Sequence, residues 1–270
     1  MEINEKVIRI LSELRKKKPL IHCITNNVTV NDCANITLAI GGSPAMADGI
    51  EEVEDMVKIA SALVINIGTL NSVTVESMLL AGKKANKVGV PVVLDPVAVG
   101  ATPYRKEVAL RLIKEIKFAV IRGNMAEIKV LSGKDSLSKG VDSEESSEGG
   151  KEVAKDLAKK LKTVIAITGA VDYISDGDRV VAIENGHEML TKVTGTGCMS
   201  TCLIASYAGA TNDYFTAAIA GIMTMGISGE KAHEKLTSTQ GSGSFKVLLV
   251  DNVCNFSSED IIKRGKANEV

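Results

Sequence analysis

The stretch Val164-Ile165-Ala166-Ile167-Thr168-Gly169-Ala170 is apolar at its first four positions and ends in threonine and small residues. An apolar run without alternation is typical of a strand with helices on both faces, as in a parallel sheet. Four other runs have the same character, namely Leu20–Cys23, Leu63–Ile67, Val92–Leu94 and Phe118–Ile121. Because helical patterns separate these runs, the sequence predicts a three-layer α/β fold with a mainly parallel central sheet.

Helical periodicity accounts for much of the remaining chain. Apolar spacing predicts an amphipathic helix within the first twenty residues and further helices near 28–40, 51–60, 71–88, 104–116, 124–132 and 150–161. A hairpin is predicted from Tyr173 to Ile183, with Ser175-Asp176-Gly177-Asp178 as its turn. The Ser-, Glu- and Gly-rich stretch 133–151 is predicted to be a surface loop, because strand–helix alternation resumes beyond it. We therefore expect residues 1–270 to form a single domain.

Composition and charge argue against several classes of function. The chain has 32 Lys and Arg against 33 Asp and Glu, no Trp, four Phe and four Tyr, so neither its charge nor its aromatic residues favour nucleic-acid binding. Residues 193–212 and 214–229 carry no charge but are rich in small residues. This favours two helices buried in a core or a subunit interface over a membrane span. The five cysteines are an odd number without a zinc-site pattern, which favours free thiols in a reducing cytoplasm.

Polar side chains follow the predicted strands at the edge where open α/β sheets bind their ligands. Asp95 comes directly after the third strand and Arg122 after the fourth, with an Asn124-x-x-Glu127 pattern opening the next helix. Asp95 and Glu127 are candidate ligands for Mg²⁺, and Arg122 can hold phosphate oxygens bidentately. Taken singly, Asp95 is also explained by a turn with Pro96, and Glu127 by the dipole of its helix. Together the three residues point to a phosphoryl-transfer site.

The segment Val193-Thr194-Gly195-Thr196-Gly197-Cys198-Met199-Ser200 predicts an anion-binding site. Small residues precede a long uncharged helix, so free N–H groups and the helix dipole converge on its first turn. Gly195 and Gly197 allow a phosphate to approach the backbone closely. The sequence has neither the P-loop pattern G-x-x-x-x-G-K-[ST] nor G-x-G-x-x-G after its first strand, which argues against those two modes of nucleotide binding.

Five motifs follow one another along the chain: T-N-N-V-T-x-N-x-x-A-N (Thr25 to Asn35), G-G-S-P-A-M (Gly41 to Met46), L-D-P-V-x-x-G-A-T (Leu94 to Thr102), R-G-N-x-x-E (Arg122 to Glu127) and V-T-G-T-G-C (Val193 to Cys198). In this order the chain resembles the hydroxyethylthiazole kinase family of the ribokinase-like superfamily, over residues 5 to 260. The resemblance implies phosphorylation by ATP, with Mg²⁺, of the hydroxyl of 4-methyl-5-(2-hydroxyethyl)thiazole in thiamine salvage. It also implies a homotrimer with active sites between subunits.

The resemblance further implies roles for individual residues. The thiazole would contact Met46 and Gly195, with Asn26 and Pro44 nearby; ATP would contact Arg122 and Thr168; and Mg²⁺ would be held by Asp95 and Glu127. To these we add Asn124 as an ATP contact, and Gly195, Gly197 and Cys198 as the catalytic residues of the anion hole. The acidic stretch at 142–149 is not assigned to any part of the family pattern.

Cys198 occupies the position where sugar kinases of this superfamily have Asp, which takes the proton of the substrate hydroxyl. A thiol is a poorer base at rest, with a usual pKa of about 8.5 that a helix N-terminus lowers. Phosphoryl transfer depends mainly on positioning and charge neutralisation. Our hypothesis is that the amides of residues 195–198 neutralise the γ-phosphoryl charge, while Cys198 shapes the site beside the attacking hydroxyl.

Three other interpretations stay open. A kinase of another small heterocyclic alcohol, of the hydroxymethylpyrimidine or pyridoxal type, would differ in the pocket around Asn26 and Met46. A nucleotide-dependent dehydratase of the same fold is suggested by Cys198 in place of Asp, although the Gly41–Met46 motif favours the thiazole kinase. A non-catalytic nucleotide-binding module would not need Asp95 together with its neighbouring charged residues.

Overall fold

The computed structural model describes residues 2–133 and 149–270, and its strands form one mixed sheet. The strands are β1 (Leu20–Ile24), β2 (Ser43–Ala45), β3 (Ala62–Asn66), β4 (Val92–Asp95), β5 (Val120–Asn124), β6 (Val164–Thr168), β7 (Asp172–Ser175), β8 (Val180–Ile183) and β9 (Ala267–Glu269). They lie in the order β2-β1-β3-β4-β5-β6-β7-β8-β9. Pairing is parallel from β2 to β6 and antiparallel from β6 to β9, which confirms a mainly parallel sheet.

Helices connect the strands as the sequence predicts. They are α1 (Ile3–Lys17), α2 (Val30–Ile40), α3 (Val53–Ile59), α4 (Ser72–Val88), α5 (Pro103–Glu115), α6 (Met125–Ser132), α7 (Gly150–Leu161), α8 (Thr196–Ala208), α9 (Tyr214–Glu234), α10 (Ser242–Cys254) and α11 (Ser258–Arg264), with a 3₁₀ helix at Glu188–Lys192. The predicted N-terminal helix and the six helices predicted between strands are all present, and so is the β7–β8 hairpin. The predicted surface loop lies mostly outside the described residues, as does nearly all of its acidic part at 142–149.

Apolar side chains on the two faces of the sheet form two cores. One core lies between the sheet and α1, α2 and α8–α11, and it includes Val64 and Val93. The other lies between the sheet and α3–α7, and it includes Leu63 and Leu94. Successive residues of a strand therefore enter opposite cores, which explains the apolar runs without alternation and confirms the three-layer architecture.

The two uncharged helices α8 and α9 pack against each other inside the first core. Every residue from Cys198 to Ala208 of α8 is buried. A Cβ added at Gly221 of α9 would lie 2.6 Å from a side-chain carbon of Ile204, so the absence of a side chain there permits the close packing. Of the two predicted locations, burial in the protein core is thus the one observed for α8. Within residues 2–133 and 149–270, none of the helices has the length and apolar character needed to cross a bilayer.

Two short strands are not evident in the sequence. β2 is a three-residue edge strand that contains Pro44, a residue without the N–H that an interior strand requires. β9 is formed by Ala267, Asn268 and Glu269, and it pairs with β8 on the opposite edge. Neither segment has an apolar run or an alternating pattern, because each pairs with only one neighbouring strand.

Candidate active site

The first turn of α8 meets the carboxyl ends of the parallel strands in a buried hydrogen-bonded network around Cys198. Asn26, after β1, donates from Nδ2 to the Cys198 Sγ over 3.3 Å. Asn66, the last residue of β3, donates from its own Nδ2 to the same sulfur over 3.2 Å. The structure thus brings together two predicted site residues, Asn26 and Cys198, and adds Asn66 between them.

Asn66 uses both ends of its amide within this network. Besides Cys198, its Nδ2 donates to Asp95 Oδ2 over 3.1 Å. Its Oδ1 accepts from Asn26 Nδ2 at 3.1 Å and from the Gly68 N–H at 2.9 Å. Asn66 is 1% exposed. Its only sequence signal is a polar residue within the otherwise apolar run Leu63–Ile67, and the sequence analysis did not single it out.

Asp95 is the last residue of β4, and only one oxygen of its fully buried carboxylate accepts hydrogen bonds within the described residues. Its Oδ2 accepts from Asn66 and from Thr201 Oγ1 of α8, the latter over 2.8 Å. Within the described parts of the chain, its Oδ1 accepts no hydrogen bond, and the nearest cationic group is Arg122 Nη1 at 4.0 Å. Burial raises the pKa of Asp95 above its usual value. A buried carboxylate oxygen without a donor is suited to a cation.

Glu127 and Asn124 form a capping box at the start of α6. Asn124 Oδ1 accepts from the Glu127 N–H over 2.9 Å, and Glu127 Oε2 accepts from the Asn124 N–H over 2.8 Å. Glu127 Oε1 also accepts from the Ala98 N–H, in the loop after β4. Burial first, and then the charge of Asp95, raise the pKa of Glu127. The two carboxylates are therefore close enough to disfavour each other's charge, and a shared cation would relieve this.

Residues 2–133 and 149–270 contain no cluster of three or more His, Cys, Asp or Glu side chains suited to a metal ion. Mg²⁺ does not require such a cluster, because it keeps several waters and takes one or two carboxylates together with phosphate oxygens. The unpartnered Oδ1 of Asp95 and the nearby Glu127 carboxylate fit this ion.

The first turn of α8 forms the predicted anion cradle. Gly195 caps the helix with a φ of 88°, a left-handed conformation that favours glycine. The N–H groups of Thr196, Gly197 and Cys198 occupy the first three helical positions, where no carbonyl of the helix can accept from them. A Cβ at Gly197 would lie 2.6 Å from Arg122 Nη1, so the guanidinium lies directly over this turn. The arrangement concentrates positive potential at one point.

Arg122 connects the cradle to a cavity of about 510 Å³. Its Nη2 donates to Thr168 Oγ1 over 2.6 Å, and its buried Nε has no partner among the described residues. Arg122, Thr168 and Gly197 line one end of the cavity, and Ile222 and Met225 contribute apolar surface further along α9. A cavity with a cationic end and an apolar part has the size and chemistry for a nucleotide. Asn124 is not among the residues that line it.

Three of the predicted thiazole-binding residues lie on or just after the adjacent strands β1 and β2, and the fourth, Gly195, caps α8. In the parallel β1–β2 pair, Pro44 is opposite Ile21. Met46 follows β2 at the same sheet edge as Asn26, which follows β1, and it packs half-buried against the first core. The contact of these residues with the thiazole stays a prediction.

The pKa of the Cys198 thiol is shifted in the direction opposite to the one expected. The helix N-terminus was expected to lower its pKa, but burial, together with the charge of Asp95, raises the pKa of the thiol to about 11. The thiol is consequently protonated at neutral pH. This agrees with the hypothesis that Cys198 does not serve as the base in the resting site.

Comparison with known proteins shows the family to which the chain belongs. The model of the "Hydroxyethylthiazole kinase family" matches residues 11–259. The chain belongs to this family. A protein of Alkaliphilus oremlandii (strain OhILAs) named hydroxyethylthiazole kinase is 56% identical over all of this chain and all of its own length.

Solved structures agree with the family at the level of the fold. The structure of the hydroxyethylthiazole kinase protein from Pyrococcus horikoshii OT3 matches with a TM-score of 0.90 and 40% identity, covering 98% of this chain and 99% of the other. The pyridoxal kinase of Staphylococcus aureus, solved with pyridoxal, matches with a TM-score of 0.63 at 17% identity, over 94% of this chain and 98% of its own. The latter likeness concerns the fold alone, and it agrees with the predicted three-layer α/β architecture.

Proposed function

We propose that the protein transfers the γ-phosphoryl group of ATP to the hydroxyl of 4-methyl-5-(2-hydroxyethyl)thiazole, as a kinase of thiamine salvage. The observation that carries this proposal is the juxtaposition of Asp95 with the first turn of α8, at the cationic end of a nucleotide-sized cavity. Membership of the family supports the choice of the thiazole as the acceptor.

The phosphates of ATP lie, in this proposal, between Arg122, Thr168 and the α8 amides. Arg122 is held at Thr168 by one guanidinium nitrogen and leaves its Nε without a partner in the described structure, so it can donate to a phosphate oxygen. The α8 amides point to the same place and are fixed before the substrate arrives, so they need no reorganisation as charge develops. Asn124 does not line the cavity and its Oδ1 accepts from the Glu127 N–H, so its contact with the nucleotide rests on the sequence prediction alone.

A bound Mg²⁺ would neutralise phosphate charge in this site. Asp95 would hold it through Oδ1, the oxygen that accepts no hydrogen bond in the described chain. Glu127 would contribute from the capping box, where two backbone N–H groups orient its carboxylate. Asn66 and Thr201 fix the other oxygen of Asp95 and so set the direction of the free one.

The acceptor alcohol occupies the side of Cys198 that faces Asn26, with Met46, Pro44 and Gly195 around the thiazole ring. The Cys198 sulfur accepts from two amide groups and therefore keeps a fixed position beside the hydroxyl. Because its thiol is protonated at neutral pH, the site works by orientation and by the charge of the α8 amides.

Two further features belong to the proposal. We propose a homotrimer with active sites between subunits, which is compatible with the exposed side chains of Val28 and Leu38 near the start and end of α2. We also place the reaction in the reducing cytoplasm, since all five cysteines are free and four of them are buried.

The competing acceptors are tested by measuring ADP release from ATP and Mg²⁺ with hydroxyethylthiazole, hydroxymethylpyrimidine and pyridoxal in parallel. The proposal expects turnover that depends on the thiazole. Turnover on another alcohol alone would refute the assigned acceptor while keeping the phosphoryl-transfer site. If no ADP is released with any of the three alcohols, the result would favour a dehydratase or a nucleotide-binding protein.

A further inference from the structure

The nucleotide cavity contains a carboxylate that phosphoryl transfer does not explain. Asp172 lines the cavity together with Thr168 and Gly169, and it is 8% exposed. It begins β7, whose antiparallel pairing with β6 places it beside the carboxyl end of that strand. A negative charge at this place repels phosphates, so its presence needs another reason.

One oxygen of the Asp172 carboxylate accepts no hydrogen bond within the described residues. The Gly169 N–H donates to its Oδ1 over 2.9 Å. Across the described residues, Oδ2 accepts no hydrogen bond and no cationic side chain lies within ion-pair distance of Asp172. Burial raises the pKa of Asp172 to about 7. A buried carboxylate with an unused oxygen on a ligand cavity is stabilised by a ligand that donates hydrogen bonds.

The contact of Asp172 with Gly169, the residue after Thr168, puts its carboxylate next to the proposed phosphate site and limits which part of a nucleotide can supply those donors. Thr168 and Arg122 lie at the phosphate end, and Gly169 is the next residue after Thr168. The apolar side chains of Ile222 and Met225 suit the base. Between triphosphate and base lies the ribose, which carries two hydroxyl donors.

We propose that Asp172 accepts hydrogen bonds from the ribose hydroxyls of the bound nucleotide and makes the protein selective for ribonucleotides. This assignment rests on the proposed use of ATP. The Gly169 contact alone offers a different explanation, in which Asp172 only closes the turn between β6 and β7. The two explanations differ in whether nucleotide affinity depends on the ribose hydroxyls.

The test is calorimetric binding of ATP, 2′-deoxy-ATP, 3′-deoxy-ATP, 2′,3′-dideoxy-ATP and ITP, with Mg²⁺, to the wild type and to Asp172→Asn. Asn keeps an oxygen for the Gly169 N–H but presents an amide donor to the cavity. Asp176→Asn is the matched control: Asp176 also accepts backbone N–H groups, but in the β7–β8 turn, and it is not a cavity-lining residue. A thermal melt checks that each variant is folded.

We expect the wild type and Asp176→Asn to bind dideoxy-ATP about tenfold more weakly than ATP, which corresponds to about 1.4 kcal/mol. In Asp172→Asn this ratio should fall to about one, because ATP itself binds more weakly. Equal affinity of the wild type for ATP and dideoxy-ATP would overturn the assignment even if Asp172→Asn did not fold. It would also be overturned by an unchanged ratio in Asp172→Asn, or by a loss of discrimination against ITP alone.

The failure of the proposed function would look different from the failure of this assignment. Ribose-dependent ATP binding without phosphorylation of any alcohol would refute the kinase and keep the role of Asp172. Phosphorylation of the thiazole with equal affinities for ATP and dideoxy-ATP would keep the kinase and refute the role of Asp172. A protein that binds no nucleotide would refute both.

Discussion

Replacement of Asn66 by Leu tests whether the amide network positions the reacting groups. The change fills a similar volume but removes four hydrogen bonds, which join Asn66 to Asp95, Cys198, Asn26 and Gly68. Asp95 keeps its bond from Thr201 and loses the one from the amide, so its free oxygen is no longer held in a single direction.

The expected magnitude follows from the chemistry of the lost bonds. A hydrogen bond to a charged group contributes about 1.5–3 kcal/mol, and each 1.4 kcal/mol is about tenfold in rate. If the Asn66–Asp95 bond serves the transition state, kcat should fall about 10- to 150-fold. The Gly68 N–H loses its acceptor as well, which costs about 1–3 kcal/mol of unfolding free energy.

The assay is steady-state ADP release with varied thiazole and ATP, accompanied by urea unfolding of each protein. Asn252→Leu, in α10, is the matched control, because Asn252 is equally buried at 1% exposure and its Oδ1 accepts from Lys235, the residue after α9, rather than from the network around Cys198. Positioning predicts a fall in kcat for Asn66→Leu with little change in the KM for ATP, and no such fall for Asn252→Leu. A folded Asn66→Leu with kcat within about threefold of the wild type would refute the reasoning.

The remaining predictions concern the carboxylates, the cradle and stability. Cys198→Ser should lower kcat by less than about tenfold. Asp95→Asn should lower it by about 10³ or more, because the neutral amide would no longer supply the carboxylate that holds Mg²⁺ in the proposed site; equal losses in the two variants would contradict this. Gly197→Ala should raise the KM for ATP about tenfold by displacing Arg122 Nη1, 2.6 Å from the new Cβ, and unchanged ATP kinetics would refute it. The pKa of Asp172 in the folded state is about 7, above its usual value of 3.8, so the folded protein favours the protonated carboxyl. The free energy of unfolding of the wild type should therefore fall as the pH rises from about 4 to above 7. Asp172→Asn should therefore match the wild type in urea unfolding below pH 4 and be up to about 4 kcal/mol more stable at pH 8; a pH-independent difference would count against this.

Much of the fold can be predicted from the sequence. Helices cover both faces of the sheet, so its parallel interior strands are mainly apolar runs. The observed α7 has the bounds that the sequence predicts, 150–161, and β6 (Val164–Thr168) begins with the apolar run Val164-Ile165-Ala166-Ile167. The strands β2 and β9 escape prediction, because an edge strand of three residues buries too little to leave an apolar run.

The site is predictable where chemistry coincides with a strand end. Asp95 and Arg122 stand out because each follows an apolar run. Thr201 and Asp172 do not, since each lies inside or at the start of a regular element. Asn66 ends β3 but is followed by the apolar Ile67, so in the sequence it is one polar residue within an apolar run. All three acquire their roles only when other segments pack against them. Thr201, for instance, is one of several hydroxyl residues of α8, and only its contact with Asp95 sets it apart.

The most direct test of the central claim is phosphorus NMR of the product formed from ATP, Mg²⁺ and hydroxyethylthiazole by the wild type and by Asp95→Asn. The account predicts a phosphate monoester coupled to the methylene protons next to the hydroxyethyl oxygen, formed by the wild type and nearly absent with Asp95→Asn. Inorganic phosphate as the only product, or equal monoester formation by both proteins, would contradict it.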